Sequence, residues 1–224
     1  MVSILIENIL RETSNTISII VKIILAYYFF RRYSQTKLRI PLIWGAGFLL
    51  SAISQIPVVA MRSFQDPTTN MAFAVMASST VALAFVFLYY GTALLYFKKD
   101  SFMRERLSII MLVLMMGTIL MFPFVMSAET VLKSMFVIVT VGFIHPTTLL
   151  MALIFFMIWH RLNPENPRKP NVLIVGIAWF SYSLQCLLTS VFFGKQFDWI
   201  FYIIAALIFL MLFYGMIFGK ATEH

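Results

Sequence analysis

Long apolar runs alternate with short polar punctuation along the whole chain, and the length of the runs is informative first. A helix that crosses a hydrocarbon core needs about 20 mostly apolar residues. Seven runs meet that requirement, at about 13–31, 40–61, 71–97, 107–127, 133–159, 171–193 and 198–219. Polar breaks separate them at 31–35, 62–70, 98–106, 127–133, 160–170 and 194–198. The pattern predicts an all-α integral membrane protein of seven transmembrane helices, with residues 1–224 forming one membrane domain and little chain left for anything soluble. Residues 1–10 are apolar, but they carry Glu7 where a signal peptide has basic residues, and no small-residue cleavage site follows. They are expected to form a short amphipathic lead-in lying at the membrane interface.

Composition supports the spans. Of 224 residues, 61% are apolar and 12% charged, against roughly 45–50% and about 25% in soluble domains. The mean hydropathy is +0.92. Such a chain is neither a soluble enzyme nor a disordered segment. Its net charge of +8 is also not expected to reflect nucleic-acid binding.

The charge sorts by side. Arg31, Arg32, Lys37, Arg39, Lys98, Lys99, Arg104, Arg106, Arg161, Arg168, Lys169 and Lys220 fall on one side of the seven spans. Only Arg11, Arg62, Lys133 and Lys195 fall on the other. The acidic residues divide into Asp100, Glu105, Glu165 and Glu223 on the first side and Glu7, Glu12, Asp66, Glu129 and Asp198 on the second. Basic loops stay in the cytoplasm, which predicts the N-terminus outside and the C-terminus inside. Tyr33, Trp44, Tyr96 and Trp159 then sit near the inner interface and Trp199 near the outer one. Cys186 is the only cysteine, which excludes an intrachain disulfide and a paired-cysteine metal site. The chain contains no Asn-x-Ser/Thr sequon. A multi-pass protein of a prokaryotic plasma membrane is the expectation.

The chain also resembles itself. The segments 32–41 and 161–170 both read Arg-x6-Arg-x-Pro, 129 residues apart. Ser51-x3-Gln55 matches Ser181-x3-Gln185 at an offset of 130. Ala82, Leu83, Phe85, Leu88, Tyr90 and Gly91 match Ala206, Leu207, Phe209, Leu212, Tyr214 and Gly215 at an offset of 124. These matches predict an internal repeat in which spans 1–3 and 5–7 are parallel units joined by span 4. The resulting 3+1+3 layout resembles the SWEET/PQ-loop transporters and the wider transporter–opsin–receptor group, and that resemblance implies a carrier with its binding level between two three-helix units. The Pro-Gln pair that names the PQ-loop family is replaced here by Gln55, Ile56 and Pro57, so no substrate carries over. Trp179 and Tyr182 look like the Trp-x-x-Tyr of microbial rhodopsins. However, residues 199–219 hold no lysine for a Schiff base and the third span no acidic counter-ion, so retinal is not expected.

Ionisable residues inside a membrane are functional candidates by default. Two stand in the spans, Lys22 and His145, with no carboxylate beside them in sequence, which argues against a proton- or sodium-coupled pump. Asn15, Ser18, Lys22 and Ala26 share one helix face, predicted to point into the bundle. His145 precedes Pro146, where a kink is expected and Thr140, Thr147 and Thr148 can satisfy the freed backbone. Gln55, Gln185 and Ser78 fall at similar depth, and Trp179 and Ser183 lie on the sixth span. Lys22, Gln55, Ser78, His145, Trp179, Ser183 and Gln185 are therefore the expected ligand-binding residues, around a polar cavity opening outward. Pro57, Pro123 and Pro146 are candidate hinges in spans 2, 4 and 5.

No paired carboxylates, Gly-x-Ser-x-Gly or Gly-rich phosphate loop occur. An enzyme is not expected, and neither is a metal or other cofactor. The expected function is a membrane carrier or facilitator for a small polar or anionic solute. The alternatives are a receptor-like sensor or an accessory subunit of a larger complex, whose partners would be a membrane or cytoplasmic protein as well as the lipid bilayer. Seven-helix sensor regions of histidine kinases resemble this chain in size. Residues 220–224 follow the last span directly, so a sensor would be expected to signal through a separate partner.

Overall fold

The computed structural model describes residues 2–61, 66–125, 128–192 and 198–217; Arg62, Lys195, Lys220 and Glu223 lie outside them. Among the described residues there are helices and no strands, and seven helices are long and apolar enough to cross a membrane. We number them α1 (Val2–Thr36), α2 (Arg39–Met61), α3 (Pro67–Tyr96), α4 (Phe102–Val125), α5 (Lys133–Arg161), α6 (Lys169–Phe192) and α7 (Asp198–Ile217).

The helices overrun the apolar runs because a helix needs no apolar face once it leaves lipid. The largest correction is at the start. No glycine or proline interrupts residues 2–36, so the expected interfacial lead-in is instead the first two turns of one continuous helix. That helix ends where Lys37 takes a left-handed φ of 56° and its N–H bonds to the Tyr33 carbonyl at 2.7 Å. Pro41 and Pro170 then stand in the first turns of α2 and α6, where a proline removes no helical bond. Asp66 caps α3, its carboxylate accepting from the Thr69 N–H at 2.7 Å and the Thr69 hydroxyl at 2.6 Å.

The candidate hinges divide. In α2 the helical ladder is interrupted at Ser54, three residues before Pro57, whose missing N–H leaves the Ile53 carbonyl without its helical donor. Ser54 itself keeps helical angles, φ −59° and ψ −18°, and its N–H bonds the Leu50 carbonyl. The Ser54 hydroxyl closes on the Ser51 carbonyl at 2.9 Å. Pro146 coincides with a π-helical stretch, Ile138–Ile144, in which His145 N–H reaches back to Thr140. Thr147 bonds the Phe143 carbonyl at 2.7 Å and Thr148 that of Ile144 at 2.9 Å. Each hydroxyl thus bonds the carbonyl four residues back, and not the Gly142 or Val141 carbonyl that Pro146 leaves without its donor. The expected satisfaction of freed backbone is not what these threonines provide. Pro123 produces no break, since α4 continues through it to Val125.

Six helices form a ring in the order α1, α2, α3, α5, α6, α7, closed by α7 against α1, while α4 packs outside it on α3. Glycines set the closest approaches. A Cβ on Gly45 of α2 would lie 2.9 Å from the Phe30 ring of α1, and one on Gly176 of α6 would lie 2.9 Å from the Phe156 ring of α5. Gly91 of α3 rests on Trp44 of α2 and Gly215 of α7 on Val175 of α6.

The candidate ligand cavity

The half of the bundle around the α1 C-terminus is solid. Phe29 stacks on Phe48 at 5.9 Å and meets Trp44 edge-on at 5.1 Å, and Trp44 lies 6.3 Å from Phe155. One layer nearer the centre, Phe85, Trp179, Tyr182 and Phe209 form a second aromatic cluster, with Phe85 stacked on Tyr182 at 5.8 Å and Tyr182 edge-on to Phe209 at 5.5 Å. Edge-on and offset pairs of this kind are each worth about 0.5–1.5 kcal/mol beyond the area they bury. Tyr89 ties α3 to the start of α4 through a 2.6 Å bond to the Met103 carbonyl.

Above this aromatic floor, toward the α1 N-terminus, the ring encloses a cavity of about 520 Å³. Lys22, Ser51, Phe85, Ile144, Tyr182 and Phe209 line its deep end, and Arg11, Met61, Asn70, Thr189 and Tyr202 its mouth. Six of the seven spans contribute; α4 does not. The middle turns of α1 carry much of the polar wall, because Asn15, Ser18 and Lys22 recur at helical spacing and all three are buried against the ring interior.

Lys22 holds its ammonium 4.4 Å from the centre of the Phe209 ring. A ring face attracts a cation but does not accept its protons as an oxygen would. No Asp or Glu lines the cavity among the described residues. Around the ammonium, the side chains of Asn15, Ser18, Ser51, Ser78 and Tyr182 face the same space. Gln185 donates to the Phe201 carbonyl at 2.9 Å, leaving its Oε1 buried without a partner. Buried polar groups are normally paired within the protein, with water or with a ligand.

Of the expected binding residues, the fold brings Lys22, Gln55, Ser78 and Gln185 to the cavity. His145, Trp179 and Ser183 lie behind its wall. His145 and Ser183 clasp each other, with the serine hydroxyl 2.7 Å from Nδ1 and donating to the His145 carbonyl at 3.1 Å, so α5 and α6 are joined at the kink. Trp179 is 1% exposed and packs on Phe85 and Tyr182. Sequence reasoning passed over Arg11, Ser51, Asn70 and Phe209. Ser51 and Phe209 stand in the repeated motifs, which was a usable signal; Arg11 and Asn70 lie at span ends, where polar residues are unremarkable.

The π-helical stretch has a geometric effect on the site. Met135, Val139 and Ile144 all line the cavity although Val139 and Ile144 are five residues apart. In an α-helix five residues turn the side chain about 140° away, at 100° each. The wider turn of the π segment keeps both on one face.

Comparison of the chain with family models, with characterised proteins and with solved structures gives no match.

Proposed function

We propose that this protein is a membrane carrier or facilitator for a small organic anion, bound in the cavity with its negative group at Lys22. The observation that carries the reading is a lysine within the first span whose ammonium faces a cavity of about 520 Å³. Hydrogen-bonding side chains such as Asn15, Ser18 and Ser51 share that cavity with apolar ones, with no carboxylate among the described lining residues. A charge at that depth costs several kcal/mol unless something compensates it, and an anionic ligand does so directly.

Carrier mechanics draw support from the ring. Exchanging α1 for α5, α2 for α6 and α3 for α7 maps the α1–α7 contact onto the α5–α3 contact. It also maps Gly45 on Phe30 to Gly176 on Phe156, and Gly91 on α2 to Gly215 on α6. This is the pairing expected of two parallel three-helix units. The interruptions at Ser54 in α2 and Ile138–Ile144 in α5 fall on helices that the exchange does not pair, and give each unit its own point of bending. The aromatic floor acts as the closed gate, and rocking of the units opens it. With the basic loops in the cytoplasm, the cavity of this state faces outward.

Reconstitution into proteoliposomes with a panel of radiolabelled organic anions tests the reading. Wild type is expected to transport at least one, and Lys22→Met to lose at least tenfold in initial rate while keeping its fold by circular dichroism. Unchanged flux in Lys22→Met would remove the site.

A further inference from the structure

The cavity has an apolar neighbour on the outer surface of the ring. Between α1 and α2 runs a lipid-facing groove of about 440 Å³, lined by eight aliphatic residues and by Gln55. Ile23, Ile53, Ile56 and Val59 are 41–65% exposed along it. It follows α2 from Leu49 to Ala60, about 16 Å at 1.5 Å per residue. Small side chains at Ala52 and Ala60 hollow it out. Gln55 is the residue that lines both this groove and the cavity. It is also the first residue after the Ser54 break, where α2 is interrupted. On the facing helix, Lys22 points to the cavity while Ile19 and Ile23 point to the groove. One turn of α1 therefore presents a cation on one side and an alkyl surface on the other.

We propose, building on the anion-site reading above, that the ligand is a single-chain amphipathic anion that enters sideways from the bilayer past Gln55, its charged head at Lys22 and its alkyl tail in the α1–α2 groove. Charge and apolarity are arranged to suit such a molecule and not a wholly water-soluble one: the polar groups line the cavity, and the groove that shares Gln55 with it is otherwise lined by aliphatic residues among those described. A cation would meet Lys22 as a like charge.

The test is equilibrium binding of n-alkyl sulfonates, from about two to about ten carbons, to the full chain in lipid nanodiscs, with empty nanodiscs subtracted. Sulfonates stay charged, so protonation does not enter. Each methylene moved from water into an apolar site is worth about fourfold in affinity, and wild type is expected to show a slope near that value when binding is referred to the free aqueous sulfonate. Ala60→Trp fills the groove from the lipid side; it is expected to flatten the slope while leaving the two-carbon anion within about twofold. Lys22→Met is expected to weaken every member at least tenfold. A slope that survives Ala60→Trp overturns the groove assignment. A flat wild-type series with binding still lost in Lys22→Met overturns the groove and leaves the small-anion carrier intact. Absence of binding at every length overturns both.

Discussion

The same helices build two unlike halves. Toward the C-terminal end of α1, the ring is filled by Phe29, Trp44, Phe48, Tyr89, Phe155 and Trp179, all buried except a partly covered Trp44. Toward its N-terminal end, the ring surrounds space, and Asn15, Ser18, Lys22, Ser51 and Ser78 face that space among apolar neighbours such as Val81, Val139 and Phe209. In lipid no hydrophobic effect draws helices together, so packing and interhelical hydrogen bonds must hold them. The first half meets that requirement with aromatic contacts. The second half does so in part, with Gln185 of α6 donating to the Phe201 carbonyl of α7, while Lys22 faces the cavity and the Phe209 ring. The difference teaches that the polarity of the cavity is only partly structural cement: Gln185 ties α6 to α7 there, as His145 and Ser183 tie α5 to α6 behind the wall, whereas Lys22 meets a ring face.

Truncation should separate the halves most strongly. Phe48 is fully buried in the packed half. Phe48→Ala is expected to destabilise by about 3 kcal/mol, whereas Asn15→Leu in the cavity wall is expected to change stability by less than about 1 kcal/mol while weakening anion binding. Reversible unfolding in mixed micelles measures both, and equal losses would erase the distinction. A middle-sized effect belongs to the clasp at the kink. Ser183→Ala removes an interhelical bond of ordinary strength, expected to cost about 0.6–1.7 kcal/mol, with little effect on binding since Ser183 lies behind the cavity wall. A loss of binding larger than the loss of stability would instead make the α5–α6 joint part of the site.

The smallest effect is at the rim. Thr69, through its hydroxyl and its N–H, holds the Asp66 carboxyl below its ordinary value of 3.8. A carboxylate with a depressed pKa stabilises the fold above its unfolded value, and that contribution fades as the pH falls through the lower, folded value. Wild type should therefore exceed Asp66→Asn in Tm by about 2 °C at pH 7, and the gap should narrow below pH 4. A constant gap across that range would mean the cap is not what the charge supplies.

Span number, the inward face of Asn15, Ser18 and Lys22, and the break near Pro57 were legible because each follows from local periodicity or from a missing N–H. The kink at Pro146 was legible too, but not its form; a π turn depends on what the flanking helices require, and sequence alone carries no period for it. Trp179 and His145 were expected at the ligand and stand behind it. Depth along a span can be counted from the sequence, but rotation about the helix axis is fixed by neighbours such as Phe85 and Ser183. Phe209 was hidden for the opposite reason: in a chain with 23 phenylalanines, one that faces a lysine looks like all the others.

The π-helical stretch Ile138–Ile144 has a further meaning when seen as heredity instead of geometry. A π turn is what an α-helix becomes when it accommodates one surplus residue. Losing a single codon there would turn the lower part of α5 by about 100° relative to the upper part, moving His145 out of register with Ser183 while leaving both helical segments intact. One small deletion or insertion at this joint is thus a short mutational route by which a lineage carrying this fold could re-aim half a helix, and with it the shape of what the cavity accepts.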